Sequence, residues 1–423
     1  MNIKIKLTIL SFLEFAVWGA YLTSMGGYLA SVGLGANIGY FYAVQGFVSI
    51  VMPALMGIVS DRWIQAQKTL SLCHFLAGLF MIAASVYCLQ SADKVEFSVL
   101  FSLYTISVAF FMPTIALANS VSYNALDKAK LDAVKTFPPI RVFGTVGFIA
   151  SMWIVDLSGW QVTPYQFMWS GVLSVLMAFY SLTMPKCATN SNVKAHNLVQ
   201  ALGLEAFSLF RNYRMATFFI FSMLLGCCLQ ITNGYAGPFL QSFGSQEVYH
   251  GSFGVEHANI LISLSQISEA LCILLIPYCL SKFGIKRVML MAMLAWVLRF
   301  GFFAVGDPGS GVWLLILSMI VYGIAFDFFN ISGSLFVDQE TNVSIRNSAQ
   351  GLFMMMTNGL GSSLGMLIAG WVVNMYTVNE SGLMLDMPGT GGWSEAWMIF
   401  SAYALVVAIL FCVLFRYKHN VSK

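Results

Sequence analysis

Apolar runs of about 20 residues, the length that carries a helix across a bilayer interior of roughly 30 Å, follow one another along almost the whole chain. They predict about twelve transmembrane helices, over 6–30, 38–60, 69–91, 97–122, 138–157, 164–184, 213–240, 256–281, 286–306, 311–336, 346–376 and 394–416. The longest inner connection, 185–212, divides the chain into halves of similar length: an N-terminal six-helix bundle over 1–184 and a C-terminal one over 213–423. Within that connection LVQALGLEAFSLF sets Leu198, Leu202 and Phe207 at near-helical spacing, which predicts a linker helix lying on the membrane surface. The fold class is an all-α polytopic membrane protein.

Composition narrows the picture. Hydrophobic residues make up 58% of the chain and charged residues only 9%, far below the roughly 25% of a soluble domain. Lys4, Lys6, Arg62, Lys68, Lys128, Lys130, Lys135, Lys186, Lys194, Arg211, Arg214, Lys282, Lys286, Arg287, Arg346, Arg416, Lys418 and Lys423 all fall on alternate connections, and Lys94 alone lies on the other side. Basic residues are retained on the cytoplasmic side of short loops, so both termini are expected in the cytoplasm. The net charge of +3 is then a topology signal and calls for no nucleic acid. The N-terminal segment lacks a small-residue cleavage site and is read as a first span. Cys73, Cys88, Cys187, Cys227, Cys228, Cys272, Cys279 and Cys412 have no metal-ligand spacing, and the five histidines, with His74 near a span start, do not cluster. Neither a nucleophile and base, a phosphate loop nor a metal cluster is visible, so an enzyme is not expected, nor a metal or cofactor.

The halves rhyme. The second span ends PALMGIVSDRW, with Pro53, Gly57, Asp61 and Arg62, and the eighth ends PYCLSKFGIKR, with Pro277, Gly284, Lys286 and Arg287. A Pro-bearing helix running into a Gly and basic inner turn, repeated six spans apart, fits the duplicated halves of the major facilitator superfamily. In that architecture transport proceeds by alternating access around a site near the bilayer midplane. Gly26, Gly27, Gly144, Gly147, Gly359, Gly361 and Gly365 permit the close helix approach that packing or gating there requires.

Ionisable residues inside the spans mark the chemistry, because charge in lipid is costly unless it faces a cavity or a partner. They are Glu14, Arg141, Glu269, Arg299 and Asp327. Glu14, Trp18 and Tyr21 share one helical stripe; Gln230 and Asn233 are three apart, as are Gln266 and Glu269; the tenth span offers Tyr322, Phe326, Phe329 and Asn330. Amides beside a carboxylate hydrogen-bond a polyhydroxylated or heterocyclic solute, and aromatic rings stack on a planar one. Interhelical amide bonds that merely hold helices together give the same pattern. Arg299 lies roughly 20 Å and Asp327 roughly 16 Å from the cytoplasmic ends of their spans. They are expected to meet as an ion pair, unless Asp327 serves transport directly. Glu14, Glu269 and Arg141 form a coupling set, since a carboxylate in a closed cavity and a neighbouring guanidinium change proton affinity together. Arg141 is expected to approach Glu269.

The segments SFLEFAVWGAYLTSMG, TFPPIRVFGTVGF, FFIFSMLLGCCLQITN, SQISEALCILLIPY, SMIVYGIAFDFFNISGS and AQGLFMMMTNG resemble the nucleoside:proton symporter family of the major facilitator superfamily, over essentially the whole chain. The resemblance implies a bacterial inner-membrane protein that imports purine and pyrimidine nucleosides with protons. The proton gradient is its energy source, and no protein partner is called for. It implies that Arg141, Thr145 and Phe148 bind nucleoside from the N-terminal half. Gln230, Asn233, Gln266 and Glu269 would hydrogen-bond base and ribose, Tyr322 and Phe326 would supply ring contacts, and Asp327 joins Glu14 and Glu269 as a proton-coupling candidate. Two departures stand out: the first span of the family reads as an amide where this chain has Glu14, and a Trp stands where it has Phe143. A facilitator for a sugar or other polar metabolite, and a membrane sensor without net flux, are the competing readings; the sensor's usual soluble output domain is absent from the sequence.

Overall fold

The computed structural model describes residues 2–91, 94–187, 204–342, 345–378 and 392–417. Their regular elements are helical: α1 (Ile3–Gly19), α2 (Met25–Ser31), α3 (Ile38–Arg62), α4 (Ala66–Ser91), α5 (Phe97–Lys128), α6 (Ala133–Leu157) and α7 (Tyr165–Ser181), then α8 (Tyr213–Gly226), α9 (Ile231–Ser242), α10 (Ala258–Cys272), α11 (Ile276–Phe283), α12 (Ile285–Val305), α13 (Val312–Glu340), α14 (Arg346–Met354), α15 (Ser362–Thr377) and α16 (Trp393–Leu414). Short helical turns fill several connections. Among the described residues, ten helical runs are long and apolar enough to cross a membrane. The first and sixth predicted spans contribute α1 and α7, which at 17 residues each are slightly shorter.

Four predicted spans are not single α-helices. The first breaks at 20–24, between α1 and α2, and the seventh at 227–230, between α8 and α9. The eighth passes through a 3₁₀ turn, Ile273–Leu275, ahead of Pro277. The eleventh carries a π-helical stretch, Met355–Gly361, between α14 and α15. Backbone freed at such breaks must be satisfied inside protein, because lipid offers no hydrogen bonds, and transport sites are commonly built there. The two rhyming motifs fold differently. Pro53 sits within the unbroken α3, whereas Gly284 separates α11 from α12 at φ 76°, a left-handed conformation open to glycine at little cost.

The chain forms two compact units, residues 1–32 with 47–201, and 33–46 with 202–423. Residues 33–46 join the second because Asn374 donates to the Ala36 carbonyl (2.9 Å) and Ser363 to the Ala43 carbonyl (2.8 Å). In the first unit α1 packs on α6 and α7, and α4 on α5 and α7. Gly147 lets the α1 and α6 backbones touch: a Cβ there would lie 3.0 Å from Phe12 Cα. In the second unit α13 packs on α10 and α12, and α12 on α16. There Trp397 stacks on Phe303 with ring centroids 4.7 Å apart.

Burial is inverted relative to a soluble protein. Leu176, Phe179, Leu274, Trp371 and Val413 are exposed, while Glu14, His74, Gln166, Arg299 and Asp327 are buried. Apolar atoms face outward where lipid would be, and polar atoms face one another. Of the linker, Leu204–Arg211 is a 3₁₀ helix with Phe207 exposed and its ring stacked on Phe210. Leu198 and Leu202 lie outside the described residues.

Candidate functional site

In the second unit the sequence-predicted residues fall on α9, α10, α13 and the break before α9. Gln230 ends that break and Asn233 stands one turn into α9, so the i, i+3 spacing becomes a contact: Asn233 Nδ2 donates to Gln230 Oε1 at 2.9 Å. Both side chains are half-buried. On α10, Gln266 is buried with its carbonyl oxygen unpaired among the described residues, and the half-buried Glu269 follows three residues later. On α13, Tyr322 stacks on Phe326, with centroids 5.7 Å apart and planes 17° from parallel. The next residue, Asp327, is buried with Oδ2 unpaired among the described residues. Glu269 is close enough to interact with it electrostatically, so one proton between the two carboxyls would relieve the repulsion of like charges.

The expected ion pair between Arg299 and Asp327 does not form. The guanidinium, fully buried on α12, donates through Nη1 to the Ser318 carbonyl (2.9 Å) and Ser265 Oγ (3.3 Å), and through Nη2 to Thr232 Oγ1 (2.9 Å). Its face lies 4.4 Å from the centroid of the Tyr322 ring. Hydroxyls, a carbonyl and a π face replace the carboxylate, so Arg299 braces α9, α10, α12 and α13 while Asp327 has no cation partner among the described residues.

The first unit places Arg141 half-buried on α6, with its guanidinium 3.8 Å from the centroid of the Phe15 ring. Thr145, one turn on, is half-buried, and Phe148 is buried, edge-on to Trp18 at 6.2 Å. Glu14 is sealed inside this unit: Oε2 lies 2.8 Å from His74 Nε2, and Oε1 lies 2.7 Å from Thr114 Oγ1. His74 Nδ1 in turn lies 3.0 Å from Ser174 Oγ. The sequence reading missed His74, Thr114 and Ser174, because they are 60 and 100 residues from their partners and none stands out on its own helix.

The C-terminal set therefore offers a two-ring stacking face, an amide clasp and two buried acceptors, Gln266 Oε1 and Asp327 Oδ2, that lack donors among the described residues. A ribose hydroxyl, a base N–H or a proton satisfies such acceptors. The family model described as Nucleoside H+ symporter matches residues 1–420. The chain belongs to the nucleoside:proton symporter family. The symporter is 46% identical to the xanthosine permease of Escherichia coli K12, over 100% of this chain and 98% of that one. It is also 46% identical to the nucleoside permease NupG of the same organism, over 99% and 97%. Its structure matches the crystal structure of the nucleoside transporter NupG with a TM-score of 0.89 at 45% identity, covering 99% and 100% of the two chains. A D-xylose-proton symporter, at 14% identity and a TM-score of 0.68, shares the fold, which is that of the major facilitator superfamily.

Within the symporter, Gly323 sets the distance between the two helices that carry these carboxyls. A Cβ at Gly323 on α13 would lie 2.5 Å from the Ser268 carbonyl oxygen on α10, and Ser268 Oγ donates back to the Ile320 carbonyl. Gly323→Ala is expected to force α10 and α13 apart and to destabilise the protein by about 1–3 kcal/mol. Thermal unfolding of the detergent-purified protein checks this, and an unchanged midpoint refutes it.

Proposed function

We propose that this chain imports purine and pyrimidine nucleosides across a bacterial inner membrane by alternating access, driven by the proton gradient with no other cofactor. Membership of the nucleoside:proton symporter family over residues 1–420 carries the reading. The buried acceptors Gln266 Oε1 and Asp327 Oδ2, without a donor among the described residues, and the stacked Tyr322 and Phe326 support it.

In this account Tyr322 and Phe326 hold the base by stacking. Gln230, Asn233, Gln266 and Glu269 hydrogen-bond base and ribose. Arg141, Thr145 and Phe148 are the nucleoside-binding candidates of the N-terminal unit. Glu269 and Asp327 exchange the transported proton. Both termini lie in the cytoplasm, on the side where the basic connections gather.

Calorimetric titration of uridine into the purified protein tests the assignment. Wild type binds, and free ribose, which lacks the base, does not compete at equal concentration. Tyr322→Ala weakens binding by about tenfold, or roughly 1.4 kcal/mol, the scale of one lost stacking contact. Ribose competing as well as uridine would overturn the nucleoside assignment.

A further inference from the structure

We propose that Glu14 and His74 form a second proton-binding site, enclosed in the N-terminal unit and holding one proton between them in this conformation. The inference follows from counting hydrogens. The Ser174 hydroxyl has a single hydrogen and donates it to the His74 carbonyl oxygen at 2.8 Å. Its Oγ therefore accepts from His74 Nδ1, 3.0 Å away, which makes Nδ1 an N–H donor. Two arrangements then suit the 2.8 Å contact between His74 Nε2 and Glu14 Oε2: a neutral carboxylic acid donating to a neutral imidazole, or an imidazolium donating to a carboxylate. Either way one proton lies on the O···N axis. Without it, a carboxylate would face an imidazole lone pair in a site where Glu14 is 1% and His74 0% exposed, and the penalty for an unpaired buried charge would drive the helices apart.

The groups around the pair belong to every helix packed on it. From α5, Thr114 Oγ1 lies 2.7 Å from Glu14 Oε1 and 2.5 Å from the Phe111 carbonyl oxygen, which compete for its one hydrogen, and α7 brings Ser174. On α4, Cys73 is the titratable side chain electrostatically coupled to Glu14. From α6, Arg141 lies over Phe15, the residue after Glu14. The void beside Ser174, lined also by Tyr21, Ser107, Phe111 and Ser170, has no room for a water molecule. In this conformation that void offers the pair no water path.

Packed rings connect the pair to a proposed nucleoside contact. Trp18, one turn beyond Glu14 on α1, has its ring 6.2 Å from those of Phe111 and Phe148, and His74 is edge-on to Phe111 at 6.1 Å. Phe148 belongs to the proposed binding set, so this proposal rests on the import reading and adds a proton step in the N-terminal half. The proton comes from water and returns to it, and only O–H or N–H bonds form and break.

Glu14→Gln is the informative variant, because its amide N–H can donate to Nε2 and its carbonyl can accept from Thr114, preserving the contacts without an exchangeable proton. Purified wild type and Glu14→Gln are titrated from neutral to alkaline pH, and the labelled-uridine uptake of each is measured across the same range. Wild type is expected to release one proton more per protein, with infrared bands that assign it to the pair, and its uptake to fall more steeply with rising pH. Equal proton release and superimposable profiles would overturn the proposal. His74→Gln, read by the same titration, settles the matter if Glu14→Gln does not fold. Should wild type accumulate no uridine at all, the import reading fails, while proton release still decides whether the pair holds a proton.

Discussion

Asp327→Asn is expected to abolish gradient-driven accumulation of nucleoside while leaving nucleoside binding in place. Asp327 is buried, its Oδ2 has no donor among the described residues, and its electrostatic neighbour is another carboxyl, Glu269. A proton there changes the charge of the pair, and an amide cannot make that change. Size and shape are nearly conserved, so affinity for uridine should stay within about threefold of wild type, under roughly 0.7 kcal/mol. The ratio of internal to external uridine should fall to that of passive equilibration. Calorimetry on the purified variant and uptake in proteoliposomes check the two halves separately. Loss of binding would make Asp327 a substrate contact; retained accumulation would place the transported proton elsewhere.

Arg299→Ala is expected to be the most destabilising single change in the C-terminal unit. It removes a buried side chain that meets three hydrogen-bond partners from three other helices and supports the face of Tyr322. The substitution leaves Ser265, Thr232 and the Ser318 carbonyl short of a donor and opens a cavity, together worth about 3 kcal/mol or more. Tyr322 loses the group that holds its ring, so uridine affinity should fall with stability. Arg299→Lys keeps the charge without the planar fork and should recover only part of either loss. Thermal unfolding and calorimetry of both variants decide it. A stable Arg299→Ala protein with wild-type affinity would show that Arg299 positions nothing.

The transmembrane plan was legible in the sequence because lipid demands about 20 apolar residues per crossing, and few other environments do. The breaks were not. Gln230 and Glu269 read as positions on continuous helices, and only tertiary packing decides that one ends an unwound segment and the other precedes a 3₁₀ turn. Local spacing did reveal the Gln230–Asn233 contact and the Tyr322–Phe326 stack, since both lie within about one helical turn. Charge counting misled over Arg299. A buried guanidinium suggests a carboxylate, and serines and threonines, common throughout the chain, gave no sign that they would take its place. His74 was hidden for the same reason: its meaning depends on Glu14, 60 residues away.

The most direct measurement is uptake of radiolabelled uridine and adenosine into proteoliposomes containing the purified protein, with and without an imposed inward proton gradient, for wild type and Glu269→Gln. Wild type should accumulate both nucleosides above the external concentration only when the gradient is present, and Glu269→Gln should lose that accumulation. Equal uptake with and without the gradient, or no uptake in vesicles shown to hold folded protein, would contradict proton-coupled nucleoside import.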